Sequence, residues 1–129
     1  MNQFKATVKT INQVENLHLV TFKLGGQTLK MVSLELNESL KVNSTVKLNV
    51  KSTHISIAKN LKGQLSHANQ LEGKITAVNN GQLLSSIQLI VEGFELESLI
   101  TLEASLAMKL NVNDDILVLI KGSEVSVCG

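Results

Sequence analysis

The chain has 129 residues, of which 43% are hydrophobic and 18% charged, and its formal net charge is +1. This composition is that of a packed globular protein and excludes a disordered chain, while a charge so near zero provides no field that would steer the protein to DNA or an anionic membrane. A single cysteine, Cys128, excludes an intrachain disulfide. Because the sequence shows neither a signal peptide nor an apolar run of about 18 residues, we expect a cytoplasmic protein with no membrane segment.

The two halves of the chain repeat each other. The opening segment 2–6 (NQFKA) returns at 69–73 (NQLEG), and segment 46–53 (VKLNVKST) returns at 116–123 (ILVLIKGS). Such a duplication predicts two small units, residues 1–58 and 67–129, joined by a short polar linker. A unit of about 60 residues buries little surface, so we expect the two units to share an interface or to oligomerise.

In the first unit, apolar and polar residues alternate at 4–8, 20–24 and 46–50. This alternation is typical of strands with one buried face. Gly25-Gly26 separates two such runs and predicts a tight hairpin, because glycine adopts a positive φ without steric cost. Between Leu34 and Leu40 the alternation lapses, which predicts a short helical turn.

The second unit repeats this order of elements. It has alternating segments at 71–75 and 87–91, a turn at Glu92-Gly93, a strand around 94–100, a helical piece at about 102–109, and strands at 116–120 and 125–127. Five short strands and one helix per unit suit a small closed barrel, which leaves no exposed sheet edge. The sequence therefore predicts an all-β protein of two OB-like five-stranded barrels, each with one short helix.

The residue types that carry most enzyme chemistry are present without the necessary spacing. The serine, histidine and acidic residues form no nucleophile elbow or triad, and no phosphate-binding or dinucleotide glycine motif occurs. His18, His54 and His67 are scattered and with one cysteine make no zinc set, and a lone histidine on a strand is usually a solvated surface residue. Single-stranded nucleic acid needs stacking aromatic residues, of which this chain has three phenylalanines. We therefore predict a binding protein that is not an enzyme and does not bind nucleic acid by itself.

The repeated polar residues are the candidates for binding. Lys51-Ser52-Thr53 and Lys121-Gly122-Ser123 each end an apolar strand, and Asn2 and Asn69 each open one. A lysine charge, hydroxyl groups and free backbone N–H groups together suit a small oxyanion, which accepts hydrogen bonds on every oxygen. The alternative is that both tripeptides are turns between strands, and spacing alone favours that alternative.

Four segments of the second unit resemble the Mop (TOBE-type) molybdate-binding domain. Residues 66–73 (SHANQLEG) resemble its Ser-Ala-Arg-Asn-Gln-Leu-x-Gly opening, and residues 120–125 (IKGSEV) resemble its closing Ile-Lys-Ala-Ser/Thr-x-Val. Between them, 100–105 (ITLEAS) and 110–114 (LNVND) resemble its Val-Thr-x-Glu-Ser and Leu-x-Val-Gly-Asp stretches. The first unit matches more loosely, at 2–6, 32–35 and 50–53, so the resemblance spans nearly the whole chain as a tandem Mop protein.

This resemblance implies a binding site and favours it over simple turns. Family members bind molybdate or tungstate between subunits through backbone amides, hydroxyls and the lysine. In this sequence the family's Ala-Arg is His67-Ala68, so the arginine is missing, and a protonated His67 is a candidate to replace its charge. The residues expected at the sites are Asn2, Ser33, Lys51, Ser52, Thr53, Ser66, His67, Ala68, Asn69, Thr101, Lys121, Gly122 and Ser123.

The resemblance also implies a role. We expect a cytoplasmic protein that binds molybdate or tungstate for storage or homeostasis and that assembles as a homotrimer with sites at the subunit interfaces. The alternative is the ligand-sensing module of a molybdate-responsive transcription regulator, although no helix-turn-helix precedes the tandem in this sequence. A third possibility is an accessory interaction domain of a transporter ATPase with no anion site of its own.

Overall fold

The computed structural model describes residues 2–35 and 40–128. The first unit contains strands β1 (Asn2–Val14), β2 (Leu17–Leu24), β3 (Gln27–Ser33), β4 (Thr45–Val50) and β5 (Ser56–Ala58), with a 3-10 helix at Ser52–His54. The second unit contains β6 (Asn69–Asn80), β7 (Leu84–Val91), β8 (Phe94–Thr101), helix α1 (Leu102–Ala107), β9 (Asp115–Ile120), a second 3-10 helix (Gly122–Glu124) and β10 (Ser126–Val127). The helical turn predicted between Leu34 and Leu40 includes residues 36–39, which lie outside the described residues.

The ten strands form two five-stranded antiparallel sheets, which confirms the prediction of an all-β protein of two OB-like units. The first sheet has the order β10-β4-β1-β2-β3 and the second has the order β5-β9-β6-β7-β8. The short last strand of each unit therefore pairs with the sheet of the other unit. Ser126 pairs with Asn49 in the first sheet, and Ser56 pairs with Leu119 in the second. This exchange of β5 and β10 joins the two repeats into one structure.

Each long first strand carries a bulge at the same place in the repeat. The register shifts between Val8 and Thr10 in β1 and between Ile75 and Ala77 in β6. An asparagine with a positive φ binds each bulge through its backbone, Asn43 (φ 73°) to Val8 and Asn113 (φ 75°) to Ile75, with N···O distances of 2.8 Å. Asparagine tolerates this left-handed conformation better than most residues, which explains why both repeats have it there.

The predicted hairpin turns are also present. Gly25 has a φ of +58° between β2 and β3, and Glu92 and Gly93 have φ values of +49° and +82° between β7 and β8. Two-residue turns with positive φ match the twist of antiparallel strands. The two hairpin tips meet, because the backbone N–H of Gly26 donates a hydrogen bond to the Glu92 carboxylate (2.7 Å).

The alternating apolar residues form a core that includes both units. Side chains from both sheets belong to one cluster of buried residues, among them Phe22 and Leu48 of the first unit and Ile75 and Leu89 of the second, each fully buried. Burial of each such side chain stabilises the fold by about 1.5–3 kcal/mol. Sharing one core meets the expectation that units of this size need a common interface.

Two asparagines hold the units together at equivalent positions. The carboxamide of Asn2 donates to the backbone carbonyl of Glu97 (2.9 Å) and accepts from its N–H (2.7 Å). Asn69 does the same with Lys30, at 2.8 and 2.6 Å. Asn2 thus binds the edge of β8 in the second unit, and Asn69 binds the edge of β3 in the first unit, each with the pair of hydrogen bonds that a neighbouring strand would make.

Within the described ranges, no helix is both long and apolar enough to span a membrane.

Candidate functional site

The two predicted tripeptides adopt the same local structure at the ends of β4 and β9. Lys51 and Lys121 are extended, with φ, ψ values of −68°, 142° and −70°, 143°, and each is followed by a 3-10 helix. A backbone hydrogen bond closes each turn, from His54 N–H to the Lys51 carbonyl (2.9 Å) and from Glu124 N–H to the Lys121 carbonyl (3.0 Å). We name residues 51–53 the first strand end and residues 121–123 the second strand end.

The second strand end faces the segment that precedes β6. Together they line a cavity of about 330 Å³, and we name this the second-unit cavity. Val32 of β3 supplies one apolar wall. The remaining lining residues, all of them predicted from the sequence, are Ser66, His67, Ala68, Lys121, Gly122 and Ser123.

Gly122 lies where the second strand end packs closely against β3. A Cβ atom at position 122 would lie 3.0 Å from Val32 Cγ2 and 3.6 Å from both Ala68 Cβ and the carbonyl oxygen of Lys30. Contacts of 3.0 Å are shorter than carbon atoms normally adopt, so any side chain at position 122 would push against the wall formed by Val32. The second strand end therefore approaches β3 closely because residue 122 has no side chain.

The second-unit cavity offers hydrogen-bond donors and positive charge. Lys121, Ser123 and Ser66 are exposed, and His67 is partly exposed. In the described part of the chain, the backbone N–H groups of residues 66–68 make no hydrogen bond outside the strand ladders. Among the described residues, the lining includes no carboxylate. An ammonium group, hydroxyls and unpaired N–H groups around one opening can bind an anion that accepts hydrogen bonds on several oxygens.

A smaller cavity of about 190 Å³ lies between the two strand ends. Its wall contains the partly exposed pair His54 Nδ1 and Glu124 Oε2, 3.3 Å apart, which joins the two 3-10 helices. Lys51 of the first strand end and Ser123 of the second both line it, so Ser123 borders both cavities. We name this the junction cavity, and its other lining residues are Asn49 and Ser126. Because a carboxylate forms part of its wall, it is less suited to an anion than the second-unit cavity.

The first strand end lies against a carboxylate. The hydroxyl of Ser52 donates to Glu97 Oε1 (2.9 Å), while Ser86 Oγ and Gln88 Nε2 donate to Glu97 Oε2 (2.7 and 3.3 Å). The hydrogen bonds from Ser86 and Ser52, with a smaller contribution from Gln88, hold the pKa of the Glu97 carboxyl below its usual value, although partial burial opposes them. Glu97 is therefore ionised at neutral pH.

The structure places the other predicted residues outside the second-unit cavity. The carboxamides of Asn2 and Asn69 are buried and bound to the backbone of the opposite unit, so they position the strands. The Ser33 hydroxyl binds the backbone of Glu35. Thr101 caps helix α1 by accepting a hydrogen bond from Ala104 N–H (3.1 Å). Thr53 is exposed within the first 3-10 helix.

Two charged residues were missed by the sequence analysis. Lys30 and Glu97 occupy equivalent places in β3 and β8, where each is held by an asparagine of the other unit. Lys30 is two residues from Val32 and therefore points to the same face of β3 as that cavity wall. The signal that could have identified them is that one repeat position holds a lysine in the first unit and a glutamate in the second.

The described residues contain no group of three or more His, Cys, Asp or Glu side chains placed to hold a metal ion.

Comparisons with known proteins agree with this architecture. Residues 65–127 match the family model described as TOBE domain. The whole fold is similar to the solved structure of a cytoplasmic molybdate-binding protein, ModG, in a form with molybdate bound. That match has a TM-score of 0.90 and 27% sequence identity and covers 98% of this chain and 94% of that one. No curated protein sequence matches the chain significantly. The resemblance to tandem Mop (TOBE-type) proteins is thus confirmed.

Proposed function

Because residues 65–127 match the TOBE domain model and the whole fold is similar to that of a molybdate-binding protein, we propose that this chain binds molybdate or tungstate. The observation that carries this proposal is the second-unit cavity, where the two segments that resemble the Mop motifs come together. One segment is Ser66-His67-Ala68 and the other is Lys121-Gly122-Ser123. They are more than 50 positions apart in the sequence and form one opening in the structure.

The chemistry of the cavity suits a tetrahedral dianion. Such an ion has four oxygens that accept hydrogen bonds and no group that donates one, so its site needs donors on several sides. The second strand end supplies the Lys121 ammonium and the Ser123 hydroxyl, and the opposite segment supplies backbone N–H groups and the Ser66 hydroxyl. Hydrogen bonds to a charged group contribute about 1.5–3 kcal/mol each, so a few of them suffice for micromolar binding.

Assembly would complete the site. The second-unit cavity is open to the surface, so its described lining does not enclose an ion. We infer that a neighbouring subunit covers this opening in a homotrimer and contributes further donors, as the resemblance implies. In this arrangement the protein is a cytoplasmic binding protein for storage or homeostasis of the oxyanion and performs no catalysis.

Titration with sodium molybdate followed by isothermal calorimetry tests the ligand. We expect saturable binding of molybdate and tungstate and weaker binding of sulfate, since sulfate is smaller and reaches fewer donors at once. Single-stranded DNA serves as the contrasting ligand, because the chain has few aromatic side chains for stacking. Tight DNA binding without any oxyanion response would overturn the proposal.

Native mass spectrometry tests the assembly in the same samples. A homotrimer that retains molybdate is the expected species. A monomer that binds molybdate with unchanged affinity at all protein concentrations would contradict sites at subunit interfaces while leaving the ligand assignment intact.

A further inference from the structure

The two strand ends are related by the repeat but differ in the charge placed beside them. Glu97 in β8 and Lys30 in β3 occupy the same position in their units, each held through its backbone by Asn2 or Asn69. Glu97 therefore lies next to the first strand end, and Lys30 lies next to the second. A negative charge and a positive charge stand at the two equivalent places.

At the first strand end, the Glu97 carboxylate already accepts a hydrogen bond from a donor that an oxyanion would need. A serine hydroxyl has one proton to donate, and that of Ser52 is directed to Glu97 Oε1 at 2.9 Å. Ser86 and Gln88 hold the other carboxylate oxygen at 2.7 and 3.3 Å, so the group is fixed from both sides. The Ser98 hydroxyl adds a bond to the carbonyl of Ile55 (2.5 Å), which keeps β8 against the chain that follows the first 3-10 helix.

The second strand end has no counterpart of this arrangement. Gly122 stands where the first unit has Ser52, so it provides no hydroxyl, and the chain packs directly against Val32. Lys30 lies on the same face of β3 as Val32, and its backbone carbonyl is 3.6 Å from the place that a Cβ atom of residue 122 would occupy. The second-unit cavity is thus open to an anion at the point where the first unit presents a carboxylate.

We propose that Glu97 acts as a built-in anion that closes the first strand end to oxyanions and confines their binding to the second-unit cavity. This inference rests on the proposed function and assigns Glu97 as the residue that decides which of the two repeats binds. A dianion near Lys51 would meet a fixed negative charge and would have to replace it as the acceptor for Ser52. At the second strand end the residue at the equivalent position is Lys30, so no carboxylate stands there to compete with the ion.

The substitution Glu97→Gln tests this directly, because it removes the charge while keeping the side-chain size and an oxygen that can accept from Ser52. Equilibrium dialysis against sodium molybdate should show a second class of site in Glu97→Gln that the unaltered protein lacks. The matched control is Glu95→Gln, an exposed residue of the same strand for which the described structure shows no hydrogen bond with Ser52. The new class should disappear in Glu97→Gln/Lys51→Ala, and the original class should remain.

The reciprocal variant places a glutamate at position 30 of β3, the position equivalent to Glu97 in the other unit. Lys30→Glu should weaken molybdate binding at the original site by about tenfold or more, since it places a negative charge on β3 beside the second strand end. Lys23→Glu, an exposed residue on β2, makes the same change in net charge and should have a much smaller effect. Circular dichroism and light scattering verify that each variant keeps its fold and assembly.

The outcomes separate this inference from the proposed function. If the unaltered protein binds molybdate and Glu97→Gln adds no site, or if the unaltered protein already binds at Lys51, the role of Glu97 is overturned and the ligand assignment stands. If neither protein binds molybdate, the proposed function fails and the role of Glu97 fails with it. A second site that also appears in Glu95→Gln would attribute the effect to overall charge and would contradict the role of Glu97.

Discussion

The carboxamide of Asn69 binds both backbone groups of Lys30, accepting from its N–H at 2.6 Å and donating to its carbonyl at 2.8 Å. Asn69 opens β6 directly after the Ser66–Ala68 segment, and Lys30 lies two residues before Val32 on β3. This pair therefore fixes the distance between two walls of the second-unit cavity. Because Asn69 is 1% exposed, water cannot replace these bonds without opening the structure.

We predict that Asn69→Ala destabilises the protein by about 1–3 kcal/mol, because it leaves the partly buried N–H and carbonyl of Lys30 without these partners. Asn69→Asp should destabilise it further, since a carboxylate can accept from the Lys30 N–H but repels its carbonyl. Urea denaturation measures both effects. The exposed Asn12→Ala on β1 is the control and should stay within about 0.5 kcal/mol of the unaltered protein. Equal stability of Asn69→Ala and Asn12→Ala would show that the pair does not hold the units together.

A second prediction concerns the space at Gly122. Gly122→Ala should cost about 1–2 kcal/mol and weaken molybdate binding, because the added Cβ would lie 3.0 Å from Val32 Cγ2. The double variant Gly122→Ala/Val32→Ala restores the space and should recover binding, although it loses part of the apolar wall. Calorimetric titration and thermal unfolding of the single and double variants measure this. Normal molybdate binding by Gly122→Ala alone would show that the close packing of Gly122 against Val32 is not needed for binding.

A third prediction concerns the lysines of the two strand ends. Lys121→Ala should weaken molybdate binding by about tenfold or more, since it removes a charged donor from the second-unit cavity. Lys51→Ala should change affinity little, because the Glu97 carboxylate stands beside the first strand end. Lys62→Ala in the exposed linker controls for the loss of one positive charge. If Lys121→Ala matches Lys62→Ala, the second strand end is only a turn.

A fourth prediction concerns stability in acid. The Lys59 ammonium, 2.9 Å from Asp114 Oδ2, and the Asn111 N–H lower the pKa of the Asp114 carboxyl below its value in an unfolded chain. A lowered pKa in the folded state means that its stabilisation is complete above the unfolded pKa of about 3.9 and is lost as the pH falls through the folded value. Asp114→Asn should therefore reduce the acid dependence of stability below about pH 4. Asp115→Asn, whose carboxylate is 86% exposed, should leave that dependence unchanged.

Much of the fold could be predicted from the sequence because the repeated pattern has direct physical meaning. The alternation at Phe4, Ala6 and Val8 describes a strand with one buried face, and all three side chains are buried in β1. The repeated Asn43 and Asn113 mark two turns that bind the bulges. The exchange of β5 and β10 could not be predicted, because Ser56–Ala58 and Ser126–Val127 have so few residues that either sheet would accept either strand.

Part of the lining of the second-unit cavity could be predicted from the sequence for a similar reason. Lys121 and Ser66 belong to short motifs whose chemistry is visible in the sequence, and the structure places them at one cavity. Lys30 and Glu97 fall on the solvent face of their strands, where charged residues are the ordinary expectation. Contacts in the folded structure show that these two residues lie beside the strand ends, Glu97 through Ser52 and Lys30 through its backbone carbonyl next to Gly122.

The measurement that tests the central claim most directly is the anomalous scattering of tungsten in crystals grown with sodium tungstate. An ion bound in the second-unit cavity should give a strong peak within hydrogen-bonding reach of Lys121 and Ser123 and of the backbone N–H groups of residues 66–68. No comparable peak should appear beside Ser52 and Glu97. Crystals that show tungsten only elsewhere, or none at saturating tungstate, would contradict an oxyanion site built from these two segments.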